Sequence, residues 1–133
     1  MSYTREMASV SIVTFHTPLP ELVSCLESLD THRVSRIYVI DNSRSTPIRQ
    51  WCAGQPKATY IPNDNTGYGA AHNIALRHEL SMPGDYHLVL NSDVTFPPSI
   101  LSDIEAYMDS HPSVGILQPR MTGINGERQY SCR

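Results

Sequence analysis

Short apolar runs that alternate with helix-like segments restrict the fold of this 133-residue chain more than any other feature. The strongest runs, at 10–15, 36–40 and 86–90, are mostly apolar along their length rather than apolar at every second residue. Strands of that kind belong to parallel sheets whose two faces are both covered by helices. The sequence therefore predicts an α/β fold of the Rossmann type, with a mostly parallel sheet and helices on both faces.

The segments between these runs carry the apolar spacing of amphipathic helices. Helices are predicted in 18–29, from Gly67 to a stop at Pro83-Gly84, and in 97–110. Further strands are predicted at 59–62 and 114–117, followed by a turn or hairpin in 122–133. The connection through Trp51 is too weakly patterned for an element to be assigned. Because no linker or repeat interrupts the pattern, residues 1–133 are expected to form a single domain.

Composition excludes several classes of protein. Ten Lys and Arg against thirteen Asp and Glu, with no basic cluster, argue against nucleic acid as the main partner. Three widely spaced cysteines without a C-x-x-C pair favour neither a disulfide framework nor a zinc site. No segment has the apolar length of a signal peptide or a transmembrane helix. The sequence predicts a cytoplasmic protein, with peripheral attachment at the inner face of a membrane left open.

Polar residues follow three of the predicted strands, at the point where each strand ends. They are Thr14 and His16 after the first, Asp41 and Asn42 after the second, and Asn91 and Asp93 after the third of the strong runs. In open parallel sheets, ligands bind outside the carboxyl ends of the strands. These residues are therefore expected to lie together in one ligand-binding site, along the edge of the sheet where the strands end.

Two of the carboxylates at this edge have a functional and a structural interpretation. Asp93 suits Mg²⁺ or Mn²⁺ shared with the phosphates of a ligand, but it is equally suited to capping a turn or the next helix. Asp41 could accept a hydrogen bond from a ligand, although Asp-Asn-Ser is also an ordinary loop opening. The segment from Asn65 to Gly69 could bring backbone amides close to a nucleotide, but its glycine pair is a weak signal alone.

Taken in order and spacing, VSIVTF, YVIDNS, NTGYGAAHN and LVLNSDV resemble the nucleotide-sugar-binding half of inverting family 2 glycosyltransferases with the GT-A fold. The resemblance is strongest to rhamnosyltransferase-like enzymes of bacteria and covers about residues 9–120. It implies binding of a UDP- or dTDP-linked sugar for transfer to a surface polysaccharide or a lipid-linked acceptor.

The resemblance also implies roles for single residues. The end of the first strand would line the base, and Asp41 would bind the uracil or thymine ring. Asn91 and Asp93 match the family's D-x-D motif, so that Asp93 would hold Mg²⁺ or Mn²⁺ against the two phosphates. The substrate-binding residues implied are Thr14, Phe15, His16, Asp41, Asn65, Gly67, Tyr68, Gly69, His72, Asn73, Asn91 and Asp93.

The chain departs from the family pattern at three points. Asn91 replaces the first carboxylate of D-x-D, and His72 stands where many relatives have Arg. In the family, an acceptor-binding half with the general base follows the donor-binding half, and this half is not found in the sequence up to Arg133. We therefore expect a donor-binding part that transfers no sugar by itself. The alternative is a non-catalytic nucleotide-binding or interaction module, whereas a nucleotidyltransferase is disfavoured because HTPLPEL lacks a basic, glycine-rich loop.

Overall fold

The computed structural model describes residues 8–81, 85–123 and 125–129. The chain divides into two compact units, Met1–Leu101 and Ser102–Arg133. Within the described ranges, no helix combines the length and the apolar character needed to cross a membrane.

The first unit is built on a four-stranded, all-parallel sheet in the order β3-β2-β1-β4. Its strands are β1 (Ala8–Thr14), β2 (Val34–Asp41), β3 (Ala58–Pro62) and β4 (Tyr86–Asn91). Its helices are α1 (Leu19–Glu27), α2 (Thr46–Ala53) and α3 (Tyr68–Ser81), and a 3-10 helix (Thr31–Arg33) leads into β2. Helix α4 (Ile100–Ser110) begins at the last two residues of this unit and continues in the second. The predicted Rossmann-like α/β fold is confirmed.

Helices cover both faces of the sheet, as predicted. Successive residues of a strand point to opposite faces, so β1 sends Ile12 to one side and Val13 to the other. Ile12 belongs to a core that includes Leu22 of α1 and Ile48 of α2. Val13 belongs to a smaller core with Ala71 and further residues of α3. Two layers of helices thus exclude water from the middle of the sheet.

Helix α2 occupies the connection through Trp51, where the sequence pattern was judged too weak for an element. The hydroxyl of Ser45 accepts a hydrogen bond from the amide of Ile48 at 3.5 Å and caps the helix, and Pro47 lies in its first turn. Ile48 and Cys52, four residues apart, are its buried residues. A Ser cap followed by proline is a start signal that could have revealed this helix.

The second unit corrects one predicted strand. Residues 115–120 form no regular structure, and the side chain of Ile116 is 92% exposed. The four-residue run at 114–117 contains Gly115 and is followed by Pro119, and both residue types disfavour strands. The predicted hairpin is confirmed in the described residues, where β5 (Met121–Thr122) pairs antiparallel with β6 (Arg128–Gln129).

Candidate functional site

The carboxyl ends of the central strands lie side by side. Thr14 pairs with Asp41 across β1 and β2, and Val13 pairs with Asn91 across β1 and β4. From β1 the chain passes to β2 and β3 on one side, and then crosses to β4 on the other. The strand order reverses between β1 and β4, and such switch points open a crevice that binds ligands in α/β sheets.

Asp41, at the end of β2, is fully buried and accepts five hydrogen bonds. Oδ1 accepts from the Thr14 hydroxyl at 3.1 Å and from both the amide and the hydroxyl of Ser43. Oδ2 accepts from the Ser45 amide at 2.6 Å and from the Tyr60 hydroxyl at 2.7 Å. In this conformation the carboxylate offers no free acceptor to a base, and it holds the loop after β2 instead.

The protonation of Asp41 follows from the same geometry. Burial by itself would raise the pKa of this carboxyl, but hydrogen bonds from Tyr60, Ser43 and Ser45 outweigh burial and lower the pKa. For the donor Tyr60, burial and the bond to Asp41 raise the pKa to about 12. Asp41 is therefore a fixed anion beneath the edge of the sheet.

Asp93 presents the opposite situation on the loop after β4. Its side chain is exposed, and no donor or cation in the described parts of the chain pairs with its carboxylate. Asn91, two residues earlier, is engaged by the hydroxyl of Tyr68, which also donates to the carbonyl of Leu90 at 3.1 Å. Burial and then the charge of Asp93 raise the pKa of Tyr68, so the two side chains are close. The carboxylate of Asp93 can therefore accept a ligand without breaking a bond.

The segment before α3 brings backbone amides to the same region as Tyr68. Gly67 has a φ of +102°, a conformation that favours glycine, and its carbonyl accepts the amide of Ala71 at 3.2 Å to start the helix. Asn65, Gly69 and Asn73 are exposed here. The first amides of a helix lack intrahelical partners and favour anionic groups.

The loop after β1 supplies exposed rings. Phe15 is 51% exposed, and its ring centroid lies 4.3 Å from that of His16. His16 has a positive φ of 51°, and its amide donates to the hydroxyl of Ser43 at 3.0 Å. The loops that follow β1 and β2 therefore support each other.

His72, a residue of α3, is 4% exposed, and its ring centroid lies 4.7 Å from that of Tyr68. Its Nδ1 contacts the Ser11 hydroxyl at 2.8 Å, and the same hydroxyl contacts Nε2 of His87 at 2.8 Å. Nδ1 of His87 contacts the Ser9 hydroxyl at 2.7 Å. Burial, reinforced by His87, lowers the pKa of His72 to about 4, so the imidazole is neutral.

The hydroxyls of Ser9 and Ser11 join the imidazoles of His72 and His87 into one buried network. In a neutral imidazole one ring nitrogen donates and the other accepts. For His72 the two nitrogens differ, because Nδ1 has the Ser11 hydroxyl as a partner, whereas the buried Nε2 has no hydrogen-bond partner in the described structure.

The predicted site residues thus fall into two groups. Thr14, Asp41 and His72 are buried and bonded to other protein groups. The exposed residues are Phe15, His16, Asn65, Gly67, Tyr68, Gly69, Asn73, Asn91 and Asp93. Sequence reasoning missed Tyr60 and Ser45 as partners of Asp41, and no local signal marks a tyrosine on a neighbouring strand.

Comparison with known proteins identifies the family of the chain. Residues 9–132 match the family model described as glycosyl transferase family 2. The low-salt glycan biosynthesis hexosyltransferase Agl10 of Haloferax volcanii is 30% identical over 96 residues, which cover 70% of this chain and 30% of the relative.

Solved structures of TarS from S. aureus share the fold. One matches with a TM-score of 0.72 at 22% identity, over 94% of this chain and 23% of that chain. The other, of residues 1–349, matches with a TM-score of 0.65 at 19% identity, over 90% of this chain and 43% of that chain. The chain therefore spans less than half the length of each of these proteins. With a match over almost its whole length, the chain belongs to glycosyl transferase family 2, a family of transferase enzymes.

Proposed function

We propose that the site at the carboxyl ends of β1, β2 and β4 binds the nucleotide diphosphate of a UDP- or dTDP-linked sugar, through a divalent cation at Asp93. The observation that carries this proposal is the exposed carboxylate of Asp93, without a hydrogen-bond donor in the described chain, beside the switch point of the sheet. Family membership supports a sugar nucleotide as the ligand.

The donor groups at the edge fit Mg²⁺ or Mn²⁺ better than a metal that needs a full protein cage. Within residues 8–81, 85–123 and 125–129, no three His, Cys, Asp or Glu side chains form a ligand cluster. Mg²⁺ is typically held by one or two carboxylates with substrate phosphates and water. Asp93 would supply the carboxylate, and the bound ion would neutralise charge on the departing diphosphate.

The remaining parts of the nucleotide have candidate partners at the same edge. The exposed ring of Phe15 offers a surface for the base, and His16 adjoins it. The free amides at the start of α3, around Gly67 to Gly69, suit a phosphate. A direct bond from the base to Asp41 would require one of its five donors to leave, so Asp41 acts chiefly by holding the loop beside the base.

Transfer of a sugar to an acceptor is a further part of this proposal. The relative from Haloferax volcanii is named as a hexosyltransferase of glycan biosynthesis, so a nucleotide hexose is the first donor to test. The acceptor would be a polysaccharide or a lipid-linked glycan, whose hydroxyl loses its proton to a general base during transfer.

Calorimetric titration of UDP and dTDP, with Mn²⁺ or with EDTA, tests the donor site. We expect Asp93→Asn to weaken binding in Mn²⁺ by more than about tenfold, since even outer-shell partners of metal ligands typically contribute ~10–100-fold. In EDTA the variant and the parent should bind equally weakly. Asp30→Asn is the matched control. Asp30 caps the 3-10 helix before β2, so it lies at the amino ends of the strands, opposite the proposed site.

Two results would contradict the proposal. The first is an absence of binding of either nucleotide to the parent chain in Mn²⁺. The second is an Asp93→Asn variant with the metal-dependent affinity of the parent.

A further inference from the structure

The loop between β4 and α4 carries Asp93 but has no regular secondary structure from residue 92 to 97. A carboxylate that binds a metal must be held in a defined position, because misplacement weakens the contact. The hydrogen bonds of this loop therefore bear on the proposed site.

Helix α1 holds this loop at successive points. The Ser92 hydroxyl donates to Oε2 of Glu21 at 2.8 Å. The thiol of Cys25 contacts the carbonyl of Asn91 at 3.5 Å. Farther along, the amide of Phe96 donates to the hydroxyl of Ser28, the residue that ends the helix, at 3.1 Å.

The three helix residues share one face of α1. Glu21, Cys25 and Ser28 are separated by four and three residues, the spacing at which helical side chains stand one above the other. One face of the helix therefore follows the loop from Asn91 to Phe96. Of these three contacts, the bond between Glu21 and Ser92 joins two side chains, whereas the other two involve a backbone group of the loop. Ser92 is the residue directly before Asp93.

Glu21 has a second possible reason to be acidic. It lies in the first turn of α1, where a negative charge favours the helix dipole whatever it touches. The dipole would be satisfied by a carboxylate pointing to solvent, however, whereas this carboxylate bonds the loop. Burial and then the charges of Asp93 and Glu21 raise the pKa of Cys25 to about 12, so both carboxylates lie near one protonated thiol.

We propose that Glu21 is a positioning residue, which orients Asp93 for the metal through the hydroxyl of Ser92. This inference rests on the donor site proposed above. Glu21 itself does not touch the metal, because its role is to accept from Ser92. The side-chain amide oxygen of a glutamine can accept the same hydrogen bond but carries no charge. The variant Glu21→Gln therefore separates the effect of the hydrogen bond from the effect of the charge.

Calorimetry with UDP and Mn²⁺ on the full chain tests this role. We expect Glu21→Ala and Ser92→Ala each to weaken the Mn²⁺-dependent binding of UDP about tenfold, which corresponds to about 1.4 kcal/mol. The double variant should be no weaker than either single variant, because both remove the same bond. Glu21→Gln should restore most of the affinity. Glu27→Ala, which removes an exposed carboxylate of the same helix, should bind as the parent.

A Glu21→Gln variant as weak as Glu21→Ala would overturn the inference, because the charge itself would then be acting. Additive losses in the double variant would also overturn it. Amide exchange measured without ligand separates this inference from the proposed function. If the parent chain binds no nucleotide, the proposed donor site is wrong. Faster hydrogen exchange of the Ser92 and Asp93 amides in Glu21→Ala than in the parent would still show that Glu21 positions the loop. Unchanged exchange in Glu21→Ala and Ser92→Ala would refute it.

Discussion

The ion pair between Glu79 of α3 and Arg36 of β2 offers a test of electrostatics between the helix and the sheet. Glu79, on α3, is 7% exposed and accepts from Nε and Nη2 of Arg36 at 2.8 and 3.1 Å. The Tyr38 hydroxyl adds a third bond at 2.7 Å. The bonds from Arg36, which outweigh the opposing effect of burial, lower the pKa of Glu79 from 4.5 to about 2.

The pKa of Glu79 sets the size and the sign of its effect on stability. A fall from 4.5 to about 2 corresponds to about 3 kcal/mol of preference for the ionised form in the folded chain. Because the side chain of Arg36 is 32% exposed, solvent screens the pair, and about 2 kcal/mol is the expected measured loss. The folded pKa is the lower one, so this stabilisation is complete above pH 4.5 and disappears as the pH falls towards 2.

The substitution Glu79→Gln tests this reasoning. Urea unfolding of the full chain, followed by far-UV circular dichroism, gives the free energy of unfolding of both proteins between pH 7 and 3.5. We expect a difference of about 2 kcal/mol that is constant from pH 7 to 5.5 and shrinks by roughly 1 kcal/mol at pH 3.5. Asp64→Asn is the matched control, because its pair with Arg44 at 3.1 Å is largely exposed and should contribute little.

A difference that stays constant down to pH 3.5 would refute this account, since an ionised Glu79 could then not be the source of the stability. The same conclusion would follow if Glu79→Gln and Asp64→Asn were equally harmless.

Two further predictions concern buried groups. Nitrogen-15 NMR of the imidazole of His72 should show a protonated Nδ1 and an unprotonated Nε2 at pH 7, because Nδ1 can donate to Ser11 whereas a proton on Nε2 would be a buried donor without an acceptor. The opposite tautomer would contradict this reasoning. Burial raises the pKa of Cys25 to about 12 and of Cys52 to about 11, so both thiols should resist iodoacetamide at pH 7.5 until urea unfolds the chain. Peptide mapping by mass spectrometry would detect labelling of either one in the native chain.

Much of the fold could be predicted because apolar runs and helix spacing are local signals. The three strong strands and the helices α1, α3 and α4 follow from such patterns. The run at 114–117 has a strand-like composition, yet it forms no strand, because a strand also needs a partner for its backbone groups. A pattern of four residues cannot report whether that partner exists.

The candidate site was less predictable, because its chemistry depends on contacts between distant parts of the chain. Position at a strand end places both Asp41 and Asp93 at one edge. It does not reveal the Tyr60 hydroxyl that bonds Asp41, or the helix carboxylate of Glu21 that bonds Ser92. Each of these partners is brought in by the sheet order or by the packing of α1.

The order of the strands explains why two carboxylates in similar sequence settings differ. Strand β2 lies between β1 and β3, so Thr14 and Tyr60 reach Asp41 from both sides. In the described chain β4 pairs with β1 alone, and no such donors flank Asp93. A buried carboxylate must be fully bonded, whereas an exposed one at an edge strand can keep its oxygens for a ligand. Sheet position therefore distinguishes the structural aspartate from the one available to a cation.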